Sequence, residues 1–440
     1  MSSPFSVRLQ KRGDRPITDG GVSSILPHRS TNSPTALYVA RQPILDDRGR
    51  VFGYELLYRD APGDTSCTAD GDLASASVLT GAVLDLGLDT LTGGRQAFLN
   101  VTRPLLLGKI DTLIAPAGVV IELLESITID GDVIDACRDL QSKGYQLALD
   151  DFVGGSDAEA LLPHVAFVKV DVLTTSPDAV TTLASRLKPI GVRLLAEKVE
   201  SRAVFHHARA AGYTLFQGYY FCRPMIQTGA ALPAQQVAYL RLLTALSNPD
   251  LTSADVEGLV KQDVSLSLRV LRSVNSAAYP IRTEVRSIKQ ALFLLGIDPI
   301  RKWATVWCLA GLSAAAIPEV ATLALLRARS CELLGAQLAD GDGSELFLVG
   351  LFSLLDVMLS RTMADALDAV PLSDAAVHAL LGQANRLRDV LDAVGHYERG
   401  AWDEATTAAQ RVGLDAFALS DAYTNALRWV KDISAVEAGL

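Results

Sequence analysis

The stretch YQLALDDF at residues 145–152 ends a short apolar run on two adjacent carboxylates, Asp150 and Asp151. Neighbouring carboxylates held against a core are costly to desolvate unless a cation neutralises them. Working outward, six other short apolar runs also close on a polar side chain able to meet a metal. They are Glu55 after residues 51–54, Asn100 after 97–99, Glu122 after 119–121, Lys169 after 167–168, Glu197 after 194–196 and Gln217 after 215–216. A single such ending carries little weight, but seven in order mark a rim on which strands converge.

Between residues 37 and 221, these β-like runs alternate with stretches carrying apolar residues at helical spacing, over 74–86, 133–143, 178–187 and 201–211. Strand then helix, repeated, predicts a mostly parallel sheet. Adding residues 38–41 to the seven runs makes eight strands, the count of a TIM-like barrel, in which strand ends build the site. A closed barrel accounts for a whole rim better than an open sheet, where chemistry gathers at one switch point.

After Pro233 the strand-like runs nearly vanish, and Ala/Leu-rich amphipathic stretches predict an all-α domain. Its first helix, over 237–246, stops at Ser247-Asn248-Pro249, because proline cannot continue it. Thr252 with Asp255 three residues on reads as a capping box opening the next helix, and 266–274 reads as another. The expected division is a disordered, mobile tail over 1–35, a barrel domain over 36–233 and a helical domain over 234–440.

The 440 residues, 49% hydrophobic, suffice for two or three domains with cores of their own. A net charge of -10 and a pI near 5.2 argue against nucleic acid or anionic lipid as partners of the whole surface. The five cysteines, Cys67, Cys137, Cys222, Cys308 and Cys331, are scattered and lack metal-site spacing, so they read as reduced, mostly buried side chains. The first 35 residues hold no signal-peptide core, and no later run approaches the ~20 apolar residues of a membrane span. The reading is a cytoplasmic protein without membrane contact.

The first half resembles the EAL family of cyclic-di-GMP phosphodiesterases. The motifs are Gly53-Tyr54-Glu55-Leu56-Leu57-Tyr58-Arg59, with leucine in place of the usual alanine after the glutamate, then Phe98-Leu99-Asn100-Val101 and Ile121-Glu122-Leu123-Leu124-Glu125-Ser126. Leu149-Asp150-Asp151-Phe152, Val168-Lys169-Val170-Asp171, Ala196-Glu197-Lys198-Val199-Glu200 and Phe216-Gln217-Gly218-Tyr219 complete the set. Leu56 follows the ligand on a strand and so points to the opposite face. The second half resembles the HDOD family, through residues 270–277, 288–292 with Leu295-Gly296, and 350–356. HDOD domains are similar to helical HD-type hydrolases without their metal ligands. Accordingly, His378 and His396 are the only histidines after Pro233, and neither precedes an aspartate.

The resemblance implies that Glu55, Asn100, Glu122 and Asp150 hold one divalent metal, Mg²⁺ or Mn²⁺, while Asp150 and Asp151 share a second. All-oxygen ligation suits those ions. It implies further that Lys169 positions a water, Glu197 acts as general base, Gln217 completes the network and Arg59 grips a substrate phosphate. Glu200 would steady the loop after Phe152.

Four features depart from the family pattern. Val153 and Gly154 replace glycine and threonine, Lys198 replaces a glycine and sets an ammonium beside the base, and the stretch between Arg59 and Asn100 is short and lacks a Phe-Ile-Pro segment. They favour a divergent EAL domain of weak or no turnover that binds cyclic-di-GMP weakly or not at all and acts with HDOD through protein contacts, with an unidentified protein partner. The alternative is an active phosphodiesterase making linear pGpG under HDOD control. A homodimer is expected from the family.

Blander readings apply to single residues. Glu125, Asp171 or Glu200 alone reads as a solvated strand-end carboxylate, and Tyr219, Tyr220 and Phe221 read as barrel packing. Trp303 and Trp307 read as core. A barrel glycosidase with paired carboxylates is disfavoured, because Asp150 and Asp151 are too close in sequence to flank a sugar and Lys169 has no role in it.

Overall fold

A computed structural model describes residues 38–59, 87–218, 234–275, 285–312, 318–338 and 343–438, apart from residues 109, 113, 249 and 369. The expected tail over 1–35, the expected helix over 74–86, Cys67, Cys222 and the aromatic residues 219–221 lie outside the described residues.

Eight strands close in order into a barrel: β1 (Tyr38–Asp46), β2 (Val51–Arg59), β3 (Gln96–Val101), β4 (Val119–Leu123), β5 (Gln146–Leu149), β6 (Phe167–Asp171), β7 (Arg193–Glu197) and β8 (Leu215–Phe216). Strands β2 to β8 run parallel, but β1 is antiparallel to both neighbours. The four residues between β1 and β2 allow only a hairpin, since a parallel return needs a crossover. The hairpin also lengthens β2, so Glu55 lies within a strand rather than at its end.

The barrel's longer helices fall where the periodicity places them: α1 (Gly131–Ser142), α2 (Pro177–Leu187) and α3 (Arg202–Ala211). Each starts on a capping side chain, Asp130, Ser176 and Ser201 respectively, that accepts the backbone N–H of Val133, Ala179 and Val204. Their apolar faces pack on the outside of the strands in one core with Leu56, which is buried. The interior is filled separately by Ile44, Phe98, Val120, Ala148, Phe167, Leu195 and Leu215.

The longer helices of the second half are α4 (Ala234–Leu246), α5 (Ser253–Lys261), α6 (Val264–Val274), α7 (Ile288–Leu295), α8 (Ile297–Leu312), α9 (Pro318–Gly335), α10 (Gly343–Phe352), α11 (Arg386–Glu398), α12 (Trp402–Arg411) and α13 (Ala416–Ala438). The Thr252–Asp255 capping box forms, each residue bonding the other's backbone. Trp303 and Trp307 are buried, as are the unpaired thiols Cys137, Cys308 and Cys331. No helix among the described residues is long and apolar enough to cross a membrane.

Residues 36–440 form one compact unit, and the β1–β2 hairpin carries much of the contact between its halves. Among the described residues, two-residue β8 pairs with β1 only at Leu45 and Asp46, and helical residues lie along the rest of that edge of β1. The α11–α12 turn takes that edge: Val39 N donates to Tyr397 Oη at 3.2 Å, and Gln42 Nε2 to the Arg399 carbonyl at 3.3 Å. Trp402 packs edge-on against both Tyr38 and Tyr397. Farther along, Tyr54 Oη donates to Glu319 Oε2 at 3.0 Å, and Lys431 reaches Asp89 at 2.6 Å.

Candidate active site

The apolar interior layer is a floor, and strand alternation builds the site one layer above it. Two residues beyond Phe98, Val120, Ala148, Phe167, Leu195 and Leu215 come Asn100, Glu122, Asp150, Lys169, Glu197 and Gln217. On antiparallel β1 the same upward step runs backwards, from Ile44 to Gln42, and Gln42 stands directly opposite Glu55 of β2. A bulge between Ile44 and Leu45 leaves Phe52 unpaired, so that it too packs against the floor.

Lys169 is the centre of this layer. Its Nζ lies 2.8 Å from Asp150 Oδ1, 2.9 Å from Glu197 Oε1, 3.0 Å from Glu122 Oε1 and 3.5 Å from Glu55 Oε2. Four carboxylates therefore face one ammonium, with Lys169 and Glu122 wholly buried. Burial would lower the Lys169 pKa, but the four carboxylates more than offset it and hold the group charged. One cation cannot satisfy four anions. Burial pushes Glu122 well up and Asp150 up, with Lys169 opposing, and pushes Glu197 up to about 8.

Glu55 behaves differently, because burial is outweighed by Lys169 and by hydrogen bonds from Gln217 and Asn100, which hold it below its ordinary value. Gln217 Nε2 donates to Glu55 Oε2 at 2.7 Å and to Gln42 Oε1 at 2.8 Å, while Asn100 Nδ2 donates to Glu55 Oε1 at 3.0 Å. Tyr58 Oη donates to the Asn100 carbonyl.

Oxygen donors remain unused. Asn100 Oδ1, Glu122 Oε2 and Asp151 Oδ1 are shut off from solvent with no hydrogen-bond donor among the described residues. Such oxygens, beside carboxylates in excess of their counter-ion, fit a hard divalent cation. Among the described residues no three acidic, His or Cys side chains stand as a ready-made metal cluster; the ammonium of Lys169 sits where the carboxylates converge.

The structure thus brings together Glu55, Asn100, Glu122, Asp150, Lys169, Glu197 and Gln217. Asp151 follows Asp150 with φ 42°, in the left-handed region, and Glu200 is half-buried in the bend after β7. Arg59 ends β2, and its side chain lies outside the described residues. Lys198, at φ 53°, pairs its Nζ with Asp171 Oδ2, 2.7 Å away, while its ammonium stays within electrostatic reach of Asp151 and Glu197. Asp171 also accepts the N–H groups of Leu173 and Thr174, so it caps a turn outside the cluster. Val153 is 79% exposed beyond Phe152. Gln42 was missed by sequence reasoning; its signal was the alternation of β1 read backwards from Ile44.

Two family models match the chain, one described as an EAL domain over residues 101–224 and one as an HDOD domain over 232–387. The uncharacterized protein YuxH of Bacillus subtilis is 33% identical over 405 residues, covering 90% of this chain and 98% of that protein. The cyclic di-GMP phosphodiesterase CdgJ of Vibrio cholerae is 31% identical over 401 residues, covering 90% of this chain and 93% of that protein. Among solved structures, a calcium and cyclic-di-GMP complex of BlrP1 from Klebsiella pneumoniae is 25% identical over 42% of this chain and 54% of that chain, with a TM-score of 0.35.

Proposed function

The chain belongs to the family in which an EAL domain is followed by an HDOD domain, and on that premise we propose that it acts in cyclic-di-GMP signalling as a divalent-metal-dependent phosphodiesterase under the control of its helical half. The barrel domain is taken over 36–233 and the helical domain over 234–440. The observation that carries the reading is the convergence of four carboxylates on Lys169, buried Glu55, Glu122 and Glu197 with part-buried Asp150, together with oxygens of Asn100, Glu122 and Asp151 left without donors among the described residues.

Glu55, Asn100, Glu122, Asp150 and Asp151 would hold the metal, Mg²⁺ or Mn²⁺. When bound, the ions would polarise a phosphoryl oxygen and lower the pKa of a water. The protein's own groups supply the rest. Lys169 orients the attacking water from beneath, and Glu197 Oε1, 2.9 Å from that ammonium, takes its proton. Gln217 and Asn100 fix the Glu55 carboxylate, and Arg59 grips a non-bridging phosphate oxygen pair. Water adds to phosphorus, the phosphorus–O3′ bond breaks, the leaving oxygen takes a proton, and linear pGpG results.

A second reading, a barrel that binds cyclic-di-GMP with little turnover and works through a protein partner of HDOD, is favoured by the strained Lys198 and the exposed Val153 in the loops flanking the base and the aspartate pair. Full-length protein with Mn²⁺ or Mg²⁺ and cyclic-di-GMP separates the two. Production of pGpG that Glu197→Ala abolishes supports the enzyme. Binding without product supports the receptor, and neither binding nor product in folded protein removes both.

A further inference from the structure

The helical half touches the candidate metal site through a chain of hydrogen bonds. The Arg399 carbonyl, in the α11–α12 turn, accepts from Gln42 Nε2 at 3.3 Å. The other end of the same amide, Gln42 Oε1, accepts from Gln217 Nε2 at 2.8 Å, and Gln217 Nε2 also donates to Glu55 Oε2 at 2.7 Å. Gln42 and Glu55 are cross-strand partners, so the three side chains form one tier.

An amide used at both ends has its flip state fixed. If the Arg399 carbonyl withdraws, only the 2.8 Å bond from Gln217 still sets the Gln42 amide, and any rotation of that amide takes from Gln217 the acceptor that aims it at Glu55.

The turn is seated independently of that bond. Tyr397 Oη accepts Val39 N on β1, and Gly400, at φ 70°, lies so close to β2 that an added Cβ would stand 2.7 Å from Leu57 Cδ1. Leu57 is two residues from Glu55. Among the described residues β8 pairs with β1 only at Leu45 and Asp46, and the turn lies along the part of β1 beyond that pairing.

We propose that Gln42 is a positioning residue through which the α11–α12 turn of the HDOD half sets the orientation of Glu55, and with it the barrel's affinity for a divalent cation. The proposal rests on the reading of Glu55 as a metal ligand. Any partner or modification that shifts the turn would then act on the site without entering it.

The test is Mn²⁺ titration of full-length protein without nucleotide, by calorimetry, with melting curves as a folding control. Gln42→Leu, which keeps bulk but makes neither bond, should weaken Mn²⁺ binding about 10-fold, the scale of lost outer-sphere support. Gly400→Ala, remote from every ligand, should weaken it about 3-fold or more. The double variant should be no weaker than Gln42→Leu alone, since both changes act through one contact. Lys431→Ala, which breaks the separate seam contact to Asp89, should leave the affinity unchanged.

Affinity within twofold of the parent in Gln42→Leu, multiplying losses in the double variant, or an equal loss in Lys431→Ala would each overturn the proposal. A parent that binds no Mn²⁺ would instead sink the metal reading. Hydrogen exchange over 53–57 then decides the coupling: faster exchange in Gly400→Ala sustains it, and an unchanged rate ends it.

Discussion

Lys169 Nζ lies 3.0 Å from Glu122 Oε1 at the centre of the barrel, with both side chains sealed from water. The pair is part of an unequal balance, in which the same ammonium also serves Asp150, Glu197 and Glu55. Removing it strands buried carboxylates, and breaking a buried pair by deleting one partner costs about 3–5 kcal/mol. Lys169→Met should therefore lose that much stability in urea titrations of metal-free protein, and excess Mn²⁺ should restore part of it. A loss below ~1 kcal/mol would mean that the carboxylates are already neutral or hydrated.

Glu197 gives the metal-free protein an unusual pH response. Burial raises its pKa from 4.5 to about 8. Between those values the folded state keeps a proton that the unfolded chain has released, so stability falls as pH rises across this window. Most buried carboxylates with good partners act in the opposite sense. Glu197→Gln should flatten the decline in melting temperature from pH 5 to 8, and saturating Mn²⁺ should do the same in the parent. A parent whose stability rises steadily over this range would contradict the assignment.

Asp150 and Asp171 separate site from scaffold. Asp150 Oδ1 faces Lys169 at 2.8 Å within the cluster, whereas Asp171 is tied to Lys198 and to the backbone of the turn after β6. Asp150→Asn should lower metal-dependent turnover of cyclic-di-GMP by about 100-fold or more. Asp171→Asn should stay within a few-fold, and its mark should be on acid stability. Burial tends to raise Asp171, but Lys198 and the turn N–H groups outweigh it and hold the pKa below its ordinary value. Its contribution is thus present at neutral pH and lost as pH falls through the folded pKa. Equal turnover losses at both positions would mean that the site has been misplaced.

Much of this was legible in the residues because barrels obey period 2 and ligands must share a layer. Seven polar endings in register sufficed to assemble Glu55, Asn100, Glu122, Asp150, Lys169, Glu197 and Gln217. What escaped followed from direction. A reading that expects a mostly parallel sheet looks for the polar residue after each apolar run, but on antiparallel β1 Gln42 precedes the floor residue Ile44. For Lys198, adjacency in sequence placed its ammonium near Glu197 but did not reveal that, at φ 53°, its hydrogen bond goes to Asp171. Nor does periodicity say that α11 and α12 would dock on β1, since that depends on where its pairing with β8 stops among the described residues.

The docked turn has an anchor of its own. Glu398, the last residue of α11 and the one before Arg399, accepts Arg327 Nε of α9 at 2.8 Å, with both side chains buried. Burial raises the Glu398 pKa and Arg327 opposes it, so loss of Arg327 leaves an acid that must either protonate or drag the turn toward water. Arg327→Met should destabilise the protein by about 3–5 kcal/mol in urea, and Arg327→Met with Glu398→Leu should recover much of the loss, because an apolar replacement removes both desolvation costs. If the turn sets the Glu55 carboxylate through Gln42, Arg327→Met should also weaken Mn²⁺ binding, measured below the unfolding transition. Parental Mn²⁺ affinity in folded Arg327→Met would show that the anchor serves the fold without reaching the site.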